Sequence, residues 1–218
     1  MPAPVDAESV LIRQQYRKII NNYPLPYLKL KLSFPYKEMY NEAYALKDRF
    51  VDHRYSKSAH NGWKSLCLHG ISAEHTNHYD MYGYKSKKDV KYVWTDIADL
   101  CPITTNYFKN IFPLKSYSRL RFMWLTTNGW IGPHTDDPDN DKLAPINFAL
   151  NNPEYCIFKF SSGHVVPYTA GEAYFLNVAN EHSVWNNSTE DRIHIIAHCD
   201  DKGTNLIWQK LVIDSIRC

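Results

Sequence analysis

Three stretches in the second half of the chain carry residue types that suit holding a cation and an anion side by side. In Gly132-Pro-His-Thr-Asp136 a histidine and an aspartate stand two apart. In an extended segment such neighbours point to one face, so an imidazole nitrogen of His134 and a carboxylate oxygen of Asp136 can reach the same cation. A distant histidine, His182 in Asn180-Glu-His-Ser-Val-Trp185, would complete a set of two imidazoles and one carboxylate. That set holds Fe(II) on one face and leaves positions open for other ligands. Arg192, in Asp191-Arg-Ile-His-Ile-Ile-Ala-His198, could offer its planar fork to a carboxylate. Each feature also has a plainer explanation. The chain has ten histidines, and Asp136-Asp-Pro-Asp-Asn-Asp141 equally suits a surface loop of Asx turns. As a calcium loop it lacks the glycine at the sixth position and the glutamate at the twelfth. His182 equally suits a turn, and Arg192 a surface strand paired with Asp191 or Glu190.

The elements that must position these residues are strands. From Tyr117 onward, segments 118–126, 145–150, 155–160, 172–178, 183–186, 191–198 and 205–213 are short and rich in β-branched and aromatic residues. Gly, Pro, Asn and Asp punctuate them, a texture that predicts a sandwich or barrel. The front half differs. Helix formers fill 6–22 after Asp6 and stop before Tyr23-Pro-Leu-Pro26. Residues 27–34 alternate, with Leu28, Leu30, Leu32 and Phe34 on one side, which predicts a strand. Pro35 then opens a helical stretch to about Phe50, and a further short helix is expected at 103–111. No segment repeats at a fixed period and no low-complexity linker divides the chain. The expectation is one mainly β domain over 1–218, with a helix-and-strand lead-in at 1–115, a metal-binding core at 116–200 and a C-terminal strand at 201–218.

Composition narrows the function classes. An apolar fraction of 44% over 218 residues supports a buried core. Lys and Arg total 25 against 23 Asp and Glu, and no basic run exceeds Lys85-Ser-Lys-Lys88, so no nucleic-acid footprint is expected. Neither a membrane span nor a secretory leader is read in the sequence. Cys67, Cys101, Cys156, Cys199 and Cys218 form no CxxC pair, which favours free thiols in a reducing cytoplasm over a disulfide framework or a zinc ribbon. Neither GxGxxG nor GxxxxGK[ST] occurs, so no phosphate cradle is expected.

Ile131-Gly-Pro-His-Thr-Asp136, Gly171-Glu-Ala-Tyr-Phe-Leu-Asn-Val178 and the stretch from His182 to Ile195 together resemble the aspartyl/asparaginyl β-hydroxylase group, with weaker echoes at 62–70. The group comprises 2-oxoglutarate- and Fe(II)-dependent oxygenases on a double-stranded β-helix (a jelly roll) and includes bacterial proline hydroxylases. The resemblance implies Fe(II), 2-oxoglutarate and dioxygen. It implies His134, Asp136 and His182 as iron ligands and Arg192 as partner of the distal carboxylate of 2-oxoglutarate. The implied substrate is a free amino acid or an Asp, Asn or Pro residue of a peptide. In one respect the chain departs from the group, which carries an Arg and a His two apart on the strand after the HxD loop. Pro145 and Asn147 stand there instead. Asn147 then remains to donate one hydrogen bond to the cosubstrate, and Lys159 or Arg121 is a candidate replacement cation. His194 shares a face with Arg192 and either lines the cosubstrate pocket or packs. His75 and His78, with Tyr79, Tyr82 and Tyr84, are candidates for the substrate side. Two rival readings stand: a cupin-like metal enzyme with no use for Arg192, and a non-catalytic binding module of the same shape.

Overall fold

The computed structural model describes residues 6–54, 59–136, 139–140 and 142–217. In chain order the elements are α1 (Ala7–Asn22), β1 (Tyr27–Leu30), α2 (Tyr36–Ala45), β2 (Val51–Asp52), β3 (His60–Gly70), β4 (Val93–Trp94), α3 (Asp96–Leu100) and α4 (Pro102–Asn106). They continue with β5 (Tyr117–His134), β6 (Ile146–Ala149), β7 (Cys156–Phe160), β8 (Ala173–Leu176), β9 (His182–Asn186), β10 (Arg192–Cys199) and α5 (Leu206–Ser215). The order along the main antiparallel sheet is β1-β8-β6-β10-β5-β3-β2. A smaller sheet, β7-β9, joins the far end of β5, where Trp130 faces Trp185 and His134 faces His182. The long strand β5 therefore serves both sheets, and the fold is a mainly β double-stranded β-helix with helices packed on it.

What lets β5 serve both sheets is a bend at 126–129. Asn128 adopts φ +57, a left-handed conformation that asparagine tolerates better than most residues. At Gly129 a Cβ would stand 2.7 Å from the Thr126 carbonyl oxygen, so the close approach needs glycine. Two side chains clamp the bend. The Asn186 amide donates to the carbonyls of Leu125 (3.2 Å), Thr126 (3.0 Å) and Glu190 (2.8 Å). Asp191 accepts from Thr127 N (2.6 Å) and Trp124 Nε1 (3.0 Å). The same turn starts β10, so the bend and Arg192 are positioned together.

Period-two alternation separates chemistry from core. On β10, Ile193, Ile195, Ala197 and Cys199 join the large hydrophobic layer that includes Tyr16, Met39, Phe108, Phe112 and Trp208 of the helical side. Arg192, Ile196 and His198 of the same strand line a cavity between the sheets. On β5, Leu120, Phe122 and Trp124 go to the helical layer while Arg119, Arg121 and Met123 face the cavity. A second cluster, with Leu125, Phe158, Phe160, Tyr168 and Tyr174, fills the interior between the sheets. Helix α1 begins at Asp6, whose side chain accepts from Glu8 N, and buries Ile12, Tyr16 and Ile19 at helical spacing.

Several elements differ from expectation. The C-terminal segment forms helix α5, not a strand: the Asn205 side chain caps Trp208 N at 3.0 Å, and Trp208, Gln209, Val212 and Ile213 are buried at a helical period. The first strand ends at Leu30, although Phe34 is still buried. The helix after Pro35 ends at Ala45, and the one expected at 103–111 starts at Pro102 and continues from Tyr107 as a π-helical turn. The long strand β3 was not expected. Cys67, Cys101, Cys156 and Cys199 are buried free thiols; Cys218, like Asp137, Pro138 and Asp141 of the acidic loop, lies outside the described residues. Among the described residues no helix is long and apolar enough to cross a membrane.

Candidate metal centre and anion pocket

The antiparallel pairing of β5 with β9 sets His134 opposite His182. Their rings lie 4.3 Å apart, centroid to centroid. His134 Nδ1–H donates to the Gly132 carbonyl and His182 Nδ1–H to the Asn180 carbonyl, both at 2.9 Å. A carbonyl only accepts, so a proton sits on each Nδ1, and in the neutral ring it is Nε2 that carries the lone pair. Asp136 Oδ2 stands 3.8 Å from His134 Nε2 and 4.0 Å from His182 Nε2. Potential ligand atoms from the three residues all lie within 4.8 Å of one another. Burial first, and His134 second, hold His182 below the ordinary histidine value, which keeps it in the neutral, metal-binding form at pH 7. Phe158 stacks on His182 at 5.1 Å and fixes the ring plane. Two imidazoles and one carboxylate fit Fe(II), and backbone carbonyls orient both rings from behind.

The three residues stand at a cavity of about 520 Å³. Its lining is apolar over Met123, Ile131, Phe158, Leu176, Val184 and Ile196, with arginines set among them. Arg192 is 4% exposed, and its Nε and Nη1 have no hydrogen-bond partner. The buried Tyr168 hydroxyl also has none, and burial raises its pKa, so it stays protonated and able to donate. Arg192 lines the cavity and its field reaches Tyr168, so these donors without acceptors point to an anion. Tyr168 was not singled out in the sequence; a lone tyrosine in Val165-Val-Pro-Tyr168 gives no signal until the fold sets it against Phe158 of β7 and His194 of β10.

The other expected residues fall as follows. Asn147 is buried and lines the cavity. Its Oδ1 meets His194 Nδ1 at 2.9 Å, and His194 Nε2 meets the Asn151 carbonyl at 2.9 Å, so both ring nitrogens of His194 are engaged. Burial, and Arg192 next, hold His194 well below the ordinary value. Lys159 is exposed and is no replacement cation, because Phe158 and Phe160 of its strand take the inner face. Arg121 does face the cavity, with Arg119 beside it. His78 lines the cavity, whereas His75 packs on Tyr82 and bonds Ser72. Also lining it, and unforeseen, are His53, Arg54, Trp63 and Asn77.

The aspartyl/asparaginyl β-hydroxylase family model matches residues 34–201. The chain belongs to this family. It is accordingly a 2-oxoglutarate- and Fe(II)-dependent hydroxylase that uses dioxygen. No curated protein sequence matches the chain. Similar solved structures include a prolyl-4-hydroxylase of Pseudomonas putida (12% identity, 86% of this chain and 97% of that one, TM-score 0.46). Others are a 2-oxoglutarate–Fe(II) oxygenase family oxidoreductase from Burkholderia pseudomallei (12%, 89% and 91%, 0.49) and a prolyl hydroxylase of Trichoplax adhaerens in complex with a peptide fragment (13%, 92% and 96%, 0.49).

Proposed function

We propose that His134, Asp136 and His182 hold Fe(II), that Arg192 with Tyr168 binds the distal carboxylate of 2-oxoglutarate, and that the rest of the cavity receives an amino acid or an amino-acid residue for hydroxylation. One observation carries this reading: two imidazoles that present bare Nε2 atoms to one carboxylate, on a cavity that also encloses an arginine with free donors. When bound, Fe(II) supplies the oxidising chemistry, in which dioxygen converts 2-oxoglutarate to succinate and carbon dioxide while a substrate C–H becomes C–OH.

The chain's own residues do the rest. The Gly132 and Asn180 carbonyls fix the tautomer of both neutral imidazoles, so Nε2 of each is the atom that meets a metal. Arg192 gives a flat two-pronged contact that sets the cosubstrate's direction, and Tyr168 adds a neutral donor to the same oxygen pair. Met123, Ile131, Phe158, Leu176, Val184 and Ile196 keep the space between the ends apolar, which strengthens each charged contact inside it. A cupin-like enzyme without 2-oxoglutarate would have no use for the free donors of Arg192.

The test is succinate formation from 2-oxoglutarate by the purified protein with Fe(II), screened against free amino acids and short Asp-, Asn- and Pro-containing peptides. The reading expects metal-dependent turnover that one substrate class accelerates. Absence of any succinate above the iron-only background would refute it.

A further inference from the structure

Arg192 is not the only enclosed guanidinium in the cavity. Arg119 and Arg121, two apart on β5, both line it. Arg121 is 5% exposed and faces Ile196 across the sheet, whereas Arg192 faces Leu125. Four residues of strand separate the two levels, about 13 Å at the usual rise. The two cationic positions are therefore distinct along the barrel.

Among the described residues no carboxylate lies within ion-pair distance of Arg119 or Arg121. The carboxylate whose field reaches both is Asp136, which belongs to the metal cluster. Arg121 donates through Nη1 to the Thr76 carbonyl and lies 3.2 Å through Nη2 from His198 Nε2, while its buried Nε has no partner. Around it His53 and His198 are held well below the ordinary histidine value, by burial first and the arginines next, so they add no charge of their own at pH 7. Burial, with Arg119 second, lowers Arg121 to about 9, and it keeps its charge. An enclosed charge without a partner is costly, and a fold retains it where a ligand completes the pair.

We propose that Arg119 and Arg121 form a substrate subsite for a carboxylate, so that the molecule hydroxylated is an acid whose carboxylate enters the cavity beyond the 2-oxoglutarate position. The proposal rests on the hydroxylase reading and names the substrate class it leaves open. A planar two-oxygen anion matches the guanidinium fork. Because Arg121 is enclosed, the acid group must pass wholly inside, which a free amino acid or one acidic side chain of a peptide can do. Both sources share the same chemistry.

The experiment uses the full chain loaded with Zn(II) and saturated with 2-oxoglutarate, titrated in a calorimeter. One arm compares free amino acids with their carboxamides. The other compares end-blocked peptides carrying Asp with the same peptides carrying Asn. At least one acid should bind at least about tenfold more tightly than its neutral partner, the equivalent of about 1.4 kcal/mol. Arg121→Gln should remove that difference and leave 2-oxoglutarate affinity unchanged; Arg121→Lys should restore part of it. The arm in which the difference appears identifies the source. Should Arg121→Gln fail to fold, Arg119→Gln and the acid–amide comparison in the parent decide. Equal binding of acids and amides, no acid binding in either arm, or a parental constant in Arg121→Gln overturns the proposal. So does a loss of 2-oxoglutarate affinity in that variant, which would assign Arg121 to the cosubstrate. Failure of 2-oxoglutarate to bind the parent contradicts the hydroxylase reading itself, and the proposal with it.

Discussion

Replacing Arg192 by lysine tests the cosubstrate end of the cavity most sharply. The guanidinium is 4% exposed, and its Nε and Nη1 have no hydrogen-bond partner. A carboxylate placed against the guanidinium takes up to two charge-assisted bonds, each worth about 1.5–3 kcal/mol. Lysine keeps the charge but is a compact ammonium that cannot reproduce the fork, so one bond is lost. The expected cost is about 1.5–3 kcal/mol, or roughly ten- to 150-fold in 2-oxoglutarate affinity. Tyr168→Phe removes a neutral donor from the same place and should cost less, about 1 kcal/mol or roughly fivefold. The assay is an anaerobic titration of the Fe(II)-loaded protein with 2-oxoglutarate, following the metal-to-ligand absorption band. Iron affinity should stay parental in both variants, because neither residue belongs to the His134, Asp136 and His182 cluster. An Arg192→Lys protein that binds 2-oxoglutarate within twofold of the parent would show that the buried fork serves packing alone.

Two further outcomes follow from the buried polar groups. His53, His194 and His198 are held neutral when folded, chiefly by burial, so below the free histidine value near 6.5 the unfolded chain binds up to three more protons. Stability is therefore complete above that pH and falls as pH drops through the window beneath it, with a slope approaching about 4 kcal/mol per unit; urea midpoints that are flat between pH 7 and 5 would contradict this. Asn186→Ala removes the clamp on the β5 bend and leaves the Leu125 carbonyl without its side-chain donor, so a loss of about 2–4 kcal/mol is expected in urea unfolding. A loss under about 1 kcal/mol would mean the backbone holds the bend unaided.

The inward faces of the strands were legible because a side-chain period of two is rigid: Arg192, His194 and His198 on one side of β10, aliphatic residues on the other. His134 and His182 were legible at strand ends, and Asp136, two residues past the end of β5, through its spacing from His134. Strand β3 was not, because Ser65 to Leu68 are buried consecutively and the strand lacks a clean alternation. Helix α5 was read as a strand from the β-branched and aromatic residues of 205–213; the Asn205 cap and the helical spacing of its buried residues decide otherwise. Tyr168 and the Arg119–Arg121 pair needed the tertiary pairings. Facing residues can be read along one strand, but a shared cavity depends on which strands close around it.

The most direct measurement of the central claim is Fe(II) binding under nitrogen by the parent and by His182→Ala. The parent should bind iron at one site through His134, Asp136 and His182. His182→Ala should weaken binding by at least about 100-fold, because two remaining side chains rarely hold a labile divalent ion. Asp136→Ala, which keeps both imidazoles, should weaken it less. Parental iron affinity in His182→Ala would place the metal elsewhere and remove the foundation of the proposed site.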